Sequence, residues 1–271
     1  TRVRSSAASD VYKRQMFTVP GSIAVVTGAS SGIGRQVALE LATSGATVVA
    51  LARREERLAD LETELRRSAP DSHYVVCDVS DTDRYVAALA AVEDRHGRID
   101  ILVNNAAISE PAGDGLDRYR HVMETNYFAV VAGTLAVLPG MRSQGRGAVV
   151  NVSSDTARAP TPGEAGYAAS KAAVSAFTEA LSYDVEADGV FLHVLYPGWV
   201  PTEMTQPDTD DDHLPPRMVR RTPEQVARLV VAGLGKRRVE LDATKLARIA
   251  PVARTFFPSA YRRGIRASLR S

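Results

Sequence analysis

One cysteine, Cys77, is all the sulfhydryl chemistry this 271-residue sequence holds. That excludes an internal disulfide, fits a reducing compartment, and predicts an inert thiol at a strand end. No uninterrupted apolar run reaches the roughly 18 residues of a membrane-spanning helix. The opening residues are basic but lack an apolar stretch behind them, so no secretory signal is read there. Internal repeats and low-complexity tracts are missing. Acids stop at Asp242: residues 236–271 carry ten basic and two acidic side chains, whereas residues 16–235 are net −10. What remains is ordinary for a soluble globular chain, with 45% apolar and 24% charged residues. Its length suits one α/β domain with a substantial core.

Three segments are set apart. Residues 1–15 read as a non-native leader, because Asp10 to Gln15 matches a possible translation of a sequencing adapter and Met16 is a natural start. Residues 16–241 form the domain proper. Residues 242–271 are a basic, amphipathic extension of it.

Within the domain, short apolar runs alternate with helical patterns. The runs are Ile23–Thr27, Thr47–Leu51, His73–Asp78, Ile99–Asn104, Ala148–Ser153 and Val190–Tyr196, with Val239–Leu241 a shortened last strand. Such alternation predicts a single doubly wound α/β domain of Rossmann type, its parallel sheet covered on both faces by helices. Ligands in such sheets bind beyond the strands' carboxyl ends. The first run leads into Thr27-Gly28-Ala29-Ser30-Ser31-Gly32-Ile33-Gly34 and then a helical pattern. Glycines there permit a tight turn and close approach to a pyrophosphate at the helix N-terminus. Far along the chain, Tyr167 and Lys171 are spaced to share a helix face, and Ser154 precedes them by thirteen residues. An ammonium near a phenol is expected to lower its pKa towards working pH and so equip the tyrosine for proton transfer.

Together these motifs resemble the short-chain dehydrogenase/reductase family, in family order over roughly residues 20–205. Thr27 to Gly34 matches T-G-x-x-x-G-I-G, Cys77-Asp78-Val79 the adenine-contacting acidic position, and Asn104-Asn105-Ala106-Ala107 the N-N-A-G motif, with Ala107 in place of glycine. Asn126, Ser154, Tyr167 and Lys171 match the four catalytic positions. The resemblance implies hydride transfer between a nicotinamide and a carbonyl carbon. Tyr167 would supply the proton and Ser154 would stabilise the oxygen. Lys171 would act on the tyrosine and the ribose, and Asn126 would hold a water linking Lys171 to solvent. Ser153 points the other way in a strand and is the lesser candidate.

Cofactor contacts implied by the resemblance are Gly28, Ser30, Ser31, Gly32, Ile33 and Gly34 in the turn, then Arg53, Asp78, Val79, Asn105 and Ala106 after successive strands. Tyr167, Lys171, Pro197, Gly198, Val200 and Thr202 complete them. After the second strand, Ala52 stands where NAD-preferring relatives carry aspartate, and Arg53 follows. Guanidinium pairs well with a 2′-phosphate, so NADP is expected over NAD. Arg53 and Arg54 also suit the start of a charged helix with Glu55 and Glu56.

Met204 to Pro216 interrupts the pattern and reads as a lid; its acids and His213 suit a solvated loop, and no metal site is assigned. Beyond Asp242 the mixture of basic and apolar residues fits a helix docked on the domain, with peripheral membrane contact as the alternative. Pro251 and Pro258 are expected to keep its helices short. The resemblance implies a homodimer or homotetramer built on the stretch Asp114–Met141 and the helix of Tyr167. The resulting expectation is a cytoplasmic NADP-dependent carbonyl reductase or alcohol dehydrogenase acting on a lipophilic small molecule. No nucleic-acid partner is expected. A non-catalytic NADP-sensing protein on the same fold is the alternative.

Overall fold

A computed structural model of the chain describes residues 17–109, 115–205 and 215–268. The proposed leader, and the lid between residues 206 and 214 with His213, lie outside the described residues. The strands are β1 Ile23–Thr27, β2 Thr47–Ala52, β3 His73–Val76, β4 Ile101–Asn104, β5 Gly147–Val152, β6 Val190–Tyr196 and β7 Glu240–Asp242. They form one sheet in the order β3-β2-β1-β4-β5-β6-β7, and every pairing is parallel. The chain order reverses between β1 and β4, so a crevice opens at their carboxyl ends. The doubly wound prediction holds, and strand ends move by one or two residues.

The central strands are mostly apolar because the sheet has two buried faces there. Ala24 and Val26 pack into one layer with Val37 and Leu41 of α1 (Gly32–Thr43) and Val226 and Val230 of α7 (Pro223–Gly233). Val25, between them, points into the other layer, with Leu89 of α3 (Thr82–His96) and Met141 of α5 (Ala129–Gln144). The side-chain period of two thus feeds both layers from one strand. Each fully buried aliphatic side chain adds about 1.5–3 kcal/mol. The other helices of the domain are α2 (Glu55–Leu65), α4 (Leu116–Met123) and α6 (Ala165–Val185).

A chain of buried polar groups spans the second layer. The Tyr85 hydroxyl donates to Asn104 Oδ1 at 2.7 Å, Asn104 Nδ2 donates to Asn151 Oδ1 at 2.8 Å, and Asn151 Nδ2 donates to Thr178 Oγ1 at 2.9 Å. It ties α3, β4, β5 and α6 in one register, which fixes where β4 and β5 end.

By length and composition, the continuous helical stretch Leu116–Gln144 is apolar enough to cross a membrane, which the search for uninterrupted runs did not reveal. Here it is a domain helix: Val130, Val137, Leu138 and Met141 are buried. A π-helical turn at Glu124–Phe128 joins α4 to α5. The tail forms α8 (Leu246–Phe256) and α9 (Pro258–Ser268). Pro258 opens a helix as expected, but Pro251 sits inside α8 without ending it. The tail meets the domain through charge: Arg248 Nε donates to Asp242 Oδ2 at 2.6 Å, and Arg254 Nη1 to the Arg158 carbonyl at 3.1 Å. Ile249, Val252 and Phe256 remain exposed.

Candidate active site

At the carboxyl ends of β1 and β4 lies a cleft of about 430 Å³. Its floor is the glycine turn. Gly28 and Gly32 have φ of 64° and 56°, the left-handed region that favours glycine. Gly34 has an ordinary backbone, but a Cβ there would lie 2.4 Å from Asn105 Nδ2 and 2.5 Å from the Gly28 carbonyl oxygen. That close approach lets Asn105 Nδ2 donate to the Thr27 carbonyl at 2.9 Å, while the Asn105 and Ala106 amides donate to Thr27 Oγ1 at 3.0 Å. Thr27 therefore locks the end of β1 to the end of β4. Ser31, the N-cap of α1, makes no side-chain cap bond. The helix start lines the cleft with its unpaired backbone donors, a cradle that suits a pyrophosphate.

On the catalytic side, β5 continues past Val152 into two serines. Ser153 Oγ donates to the Lys171 carbonyl at 2.9 Å and bonds Ser175 Oγ at 2.8 Å, so it is structural, as expected. Ser154 Oγ accepts from the Thr156 amide and hydroxyl at 3.2 and 3.0 Å, and lies near enough to the Tyr167 phenol to favour its ionised form. Tyr167 and Lys171 sit one turn apart on α6. Lys171 is 2% exposed, and its Nζ donates to the Val152 carbonyl at 2.8 Å, 5.7 Å from the Tyr167 ring centroid.

The protonation pattern differs from the sequence expectation. Burial pushes the Tyr167 phenol up to about 12, against the Ser154 hydrogen bond and with Glu164 adding to the rise. Burial also pushes the Lys171 amine down to about 8. The ammonium is turned to a carbonyl at the end of β5, and desolvation outweighs any attraction it exerts on the phenol. At neutral pH the phenol therefore keeps its proton. Asn126 lies in the π-helical turn, fully buried; its Oδ1 accepts from the Ile108 amide at 2.8 Å, and its Nδ2 donates to the Ile108 carbonyl at 2.9 Å and to Ser170 Oγ at 3.2 Å. These bonds tie the cleft wall at Ile108 to the helix of Tyr167.

At the other end of the cleft, Asp78 Oδ1 accepts from the Ser80 amide and hydroxyl at 3.0 and 2.8 Å. Burial opposes its charge, but the two Ser80 bonds and then Arg53, 3.7 Å away, hold the carboxyl below its ordinary value. It stays an acceptor. Arg53 is thus paired with Asp78. Its neighbour Arg54 caps the charged helix α2, as the sequence suggested, and its side chain also reaches over the glycine turn. Its Nη2 donates to Ser30 Oγ at 2.9 Å and to Ser31 Oγ at 2.8 Å, and its Nη1 donates to Glu203 Oε2 at 2.7 Å.

Of the sequence-assigned cofactor residues, Gly28, Ser30, Ser31, Gly32, Ile33, Arg53, Asp78, Val79, Asn105, Ala106, Tyr167, Lys171, Pro197 and Thr202 line the cleft. Gly34, Gly198 and Val200 do not: they shape it from behind. Val200 is buried in the core, and a Cβ on Gly198 (φ 73°) would meet Thr244 Cγ2 at 2.6 Å. Ser154 reaches the cleft through Tyr167. Sequence reasoning missed Arg54 and Glu203, whose partners are distant in the chain. It also passed over Thr27, whose only signal was its place before Gly28. Among the described residues no cluster of metal-ligating side chains occurs.

A family profile described as short chain dehydrogenase matches residues 22–213. A short chain dehydrogenase of Pseudocercospora fijiensis is 41% identical over 195 residues, covering 69% of this chain; this chain spans 62% of that protein's length. The Xenopus laevis protein named dehydrogenase/reductase SDR family member 7B is 35% identical over 257 residues, 89% of this chain and 79% of the relative. Among solved structures, an actinorhodin polyketide ketoreductase variant with NADPH superposes with a TM-score of 0.75 at 31% identity, over 84% of this chain and 98% of that one. A short chain dehydrogenase/reductase from Burkholderia phymatum in complex with NAD gives 0.78 at 26% identity, over 89% and 95%.

Proposed function

This chain belongs to the short-chain dehydrogenase/reductase family, and we propose that it interconverts a carbonyl and an alcohol with NADP(H), using Tyr167 as general acid and base. When bound, the nicotinamide supplies or accepts the hydride. The observation that carries the reading is Tyr167 on the cleft lining, with Ser154 near its hydroxyl and Lys171 one helical turn away. In reduction the phenol gives its proton to the carbonyl oxygen, and Ser154 steadies the charge developing there. Lys171, with a value of about 8, carries protons to and from the phenol at working pH. Asn126 keeps the wall at Ile108 in place, and that positioning favours one reacting geometry.

Preference for NADP is supported by charge. Ala52 offers no carboxylate to the adenosine ribose, and Arg53 and Arg54 both line the cleft. Arg54 already hydrogen-bonds two hydroxyls of the glycine turn, so its guanidinium is oriented before any phosphate arrives. Ile108 and Met204 on the lining support a lipophilic substrate. Exposed Phe128, Leu135 and Tyr183 support the assembly of copies through α5 and α6, and a free, buried Cys77 suits the cytoplasm.

Measuring kcat/KM for NADPH and NADH on a panel of ketones and aldehydes, in the wild type and in Arg54→Ala, tests this. We expect NADPH to be favoured and Arg54→Ala to lose about 10–100-fold on NADPH alone, the worth of a charged hydrogen-bonding partner. Equal use of NADH overturns the NADP assignment. Tight nucleotide binding without turnover on any carbonyl would point to the NADP-sensing reading instead.

A further inference from the structure

Beside the glycine turn sits a carboxylate that the reaction does not use. Glu203 follows Thr202 on the segment after β6. It is held by Arg54 Nη1 at 2.7 Å and by Arg57 Nη1 from the next turn of the same helical stretch. Arg54 is at the same time bonded to Ser30 and Ser31. Glu203 lines both the cofactor cleft and a neighbouring concavity that takes in Arg35, Arg57 and Arg67. Two guanidinium groups thus meet at one anion, and the anion belongs to the protein. Its side chain is half exposed (49%) and comes from a part of the chain some 149 residues away, so no local constraint requires it there.

From this arrangement we infer that Glu203 is an internal competitor for the 2′-phosphate, and so sets how strongly the protein discriminates NADP(H) from NAD(H). The inference rests on the proposed role of Arg54 in binding that phosphate. A 2′-phosphate brings close to two negative charges to the group that Glu203 already neutralises. It must either displace the carboxylate from Arg54 or sit beside it against like-charge repulsion. A ribose with a free 2′-hydroxyl does neither, and leaves the Arg54–Glu203 pair intact. The carboxylate therefore opposes one cofactor and is indifferent to the other. Glu203 is a specificity-determining residue acting through Arg54, not a catalytic one. Its ionised state at neutral pH is secure, because the hydrogen bonds from Arg54 and then Arg57 hold its carboxyl below the ordinary value.

The test isolates the phosphate by using two small probes, adenosine 2′,5′-bisphosphate and adenosine 5′-monophosphate, with binding read by calorimetry on the full chain. Glu203→Gln keeps the shape and removes the charge. It should tighten the bisphosphate about two- to fivefold, the scale of exposed ion pairs, and leave the monophosphate unchanged. The gain should shrink as salt is raised, because the pairs are solvent-exposed. An equal change for both probes, no change, or weaker bisphosphate binding overturns the inference; weakening would mean that the carboxylate holds Arg54 in its productive pose. The Arg54→Ala arm separates the two levels of the argument. If it loses bisphosphate binding while Glu203→Gln changes nothing, the NADP reading stands and Glu203 has no part in it. If Arg54→Ala binds both probes as the wild type does, Arg54 does not hold the phosphate, and this inference falls while the NADP reading rests on Arg53 alone.

Discussion

Tyr167→Phe takes away one oxygen and leaves every ring atom in place. In the structure that oxygen lies near Ser154, on a ring whose centroid is 5.7 Å from Lys171 Nζ. The fold should lose only about 1 kcal/mol, the net worth of one hydrogen bond, and NADPH affinity should change little. Turnover is another matter. The hydroxyl is the proton donor, and a positioned general acid is worth about 10²–10⁴ in rate, or roughly 3–5 kcal/mol of barrier. The assay pairs single-turnover NADPH oxidation on an accepting ketone with calorimetric NADPH binding and a thermal melt. The pH profile sharpens it. With the phenol held near 12, wild-type Tyr167 stays protonated through the neutral range. A fall in reduction rate as pH rises through about 8 must then come from Lys171 losing its proton, and alcohol oxidation should rise over the same interval. A folded, cofactor-binding Phe variant within tenfold of wild-type turnover would refute the assignment. A wild-type profile that is flat from pH 7 to 9 would instead remove Lys171 from the proton path.

Two stability predictions follow from groups outside the chemistry. Gly34→Ala puts a methyl group against Asn105 Nδ2 and the Gly28 carbonyl, so Asn105 must leave Thr27. Overpacking of this kind costs about 1–3 kcal/mol; a lower melting temperature with weaker nucleotide binding is expected, and an unchanged melt would contradict the close approach. The Asp242 side chain is 2% exposed and paired with Arg158 at 2.7 Å, Arg238 at 3.0 Å and Arg248 at 2.6 Å. Burial opposes its charge, yet the hydrogen bonds from Arg248 and Arg158 hold its carboxyl below the ordinary value. Its contribution is thus complete above the usual carboxylate pKa of about 4 and is lost as pH falls through the lower folded value. Asp242→Asn should cost about 3–5 kcal/mol at neutral pH and flatten the acid limb of the stability curve, as read by urea melts at several pH values. A variant with the wild-type acid limb would remove Asp242 from the account.

How far the sequence reached can be judged from particular residues. The strands from Ile23 to Tyr196 were legible because a sheet buried on both faces demands unbroken β-branched and aliphatic runs. The turn from Gly28 to Gly34 was legible because two of its backbone conformations, and one close approach, admit only glycine. Tyr167 and Lys171 could be placed on one helix face by counting. The same counting could not tell where Lys171 points: its ammonium bonds the Val152 carbonyl, and burial rather than its charge governs the phenol. Nor could it find the π-helical turn that aims Asn126 at Ile108.

Periodicity, glycine geometry and helical spacing are properties of neighbours along the chain, and the amino-acid order alone decided them here: seven parallel strands, a phosphate-sized turn, a tyrosine over a lysine. The choice of Arg54 over its neighbour for the glycine turn, the capture of that guanidinium by Glu203, and the raised phenol of Tyr167 came only with the tertiary structure. Each depends on which side chains from remote segments share a direction, and on how much water packing removes between them.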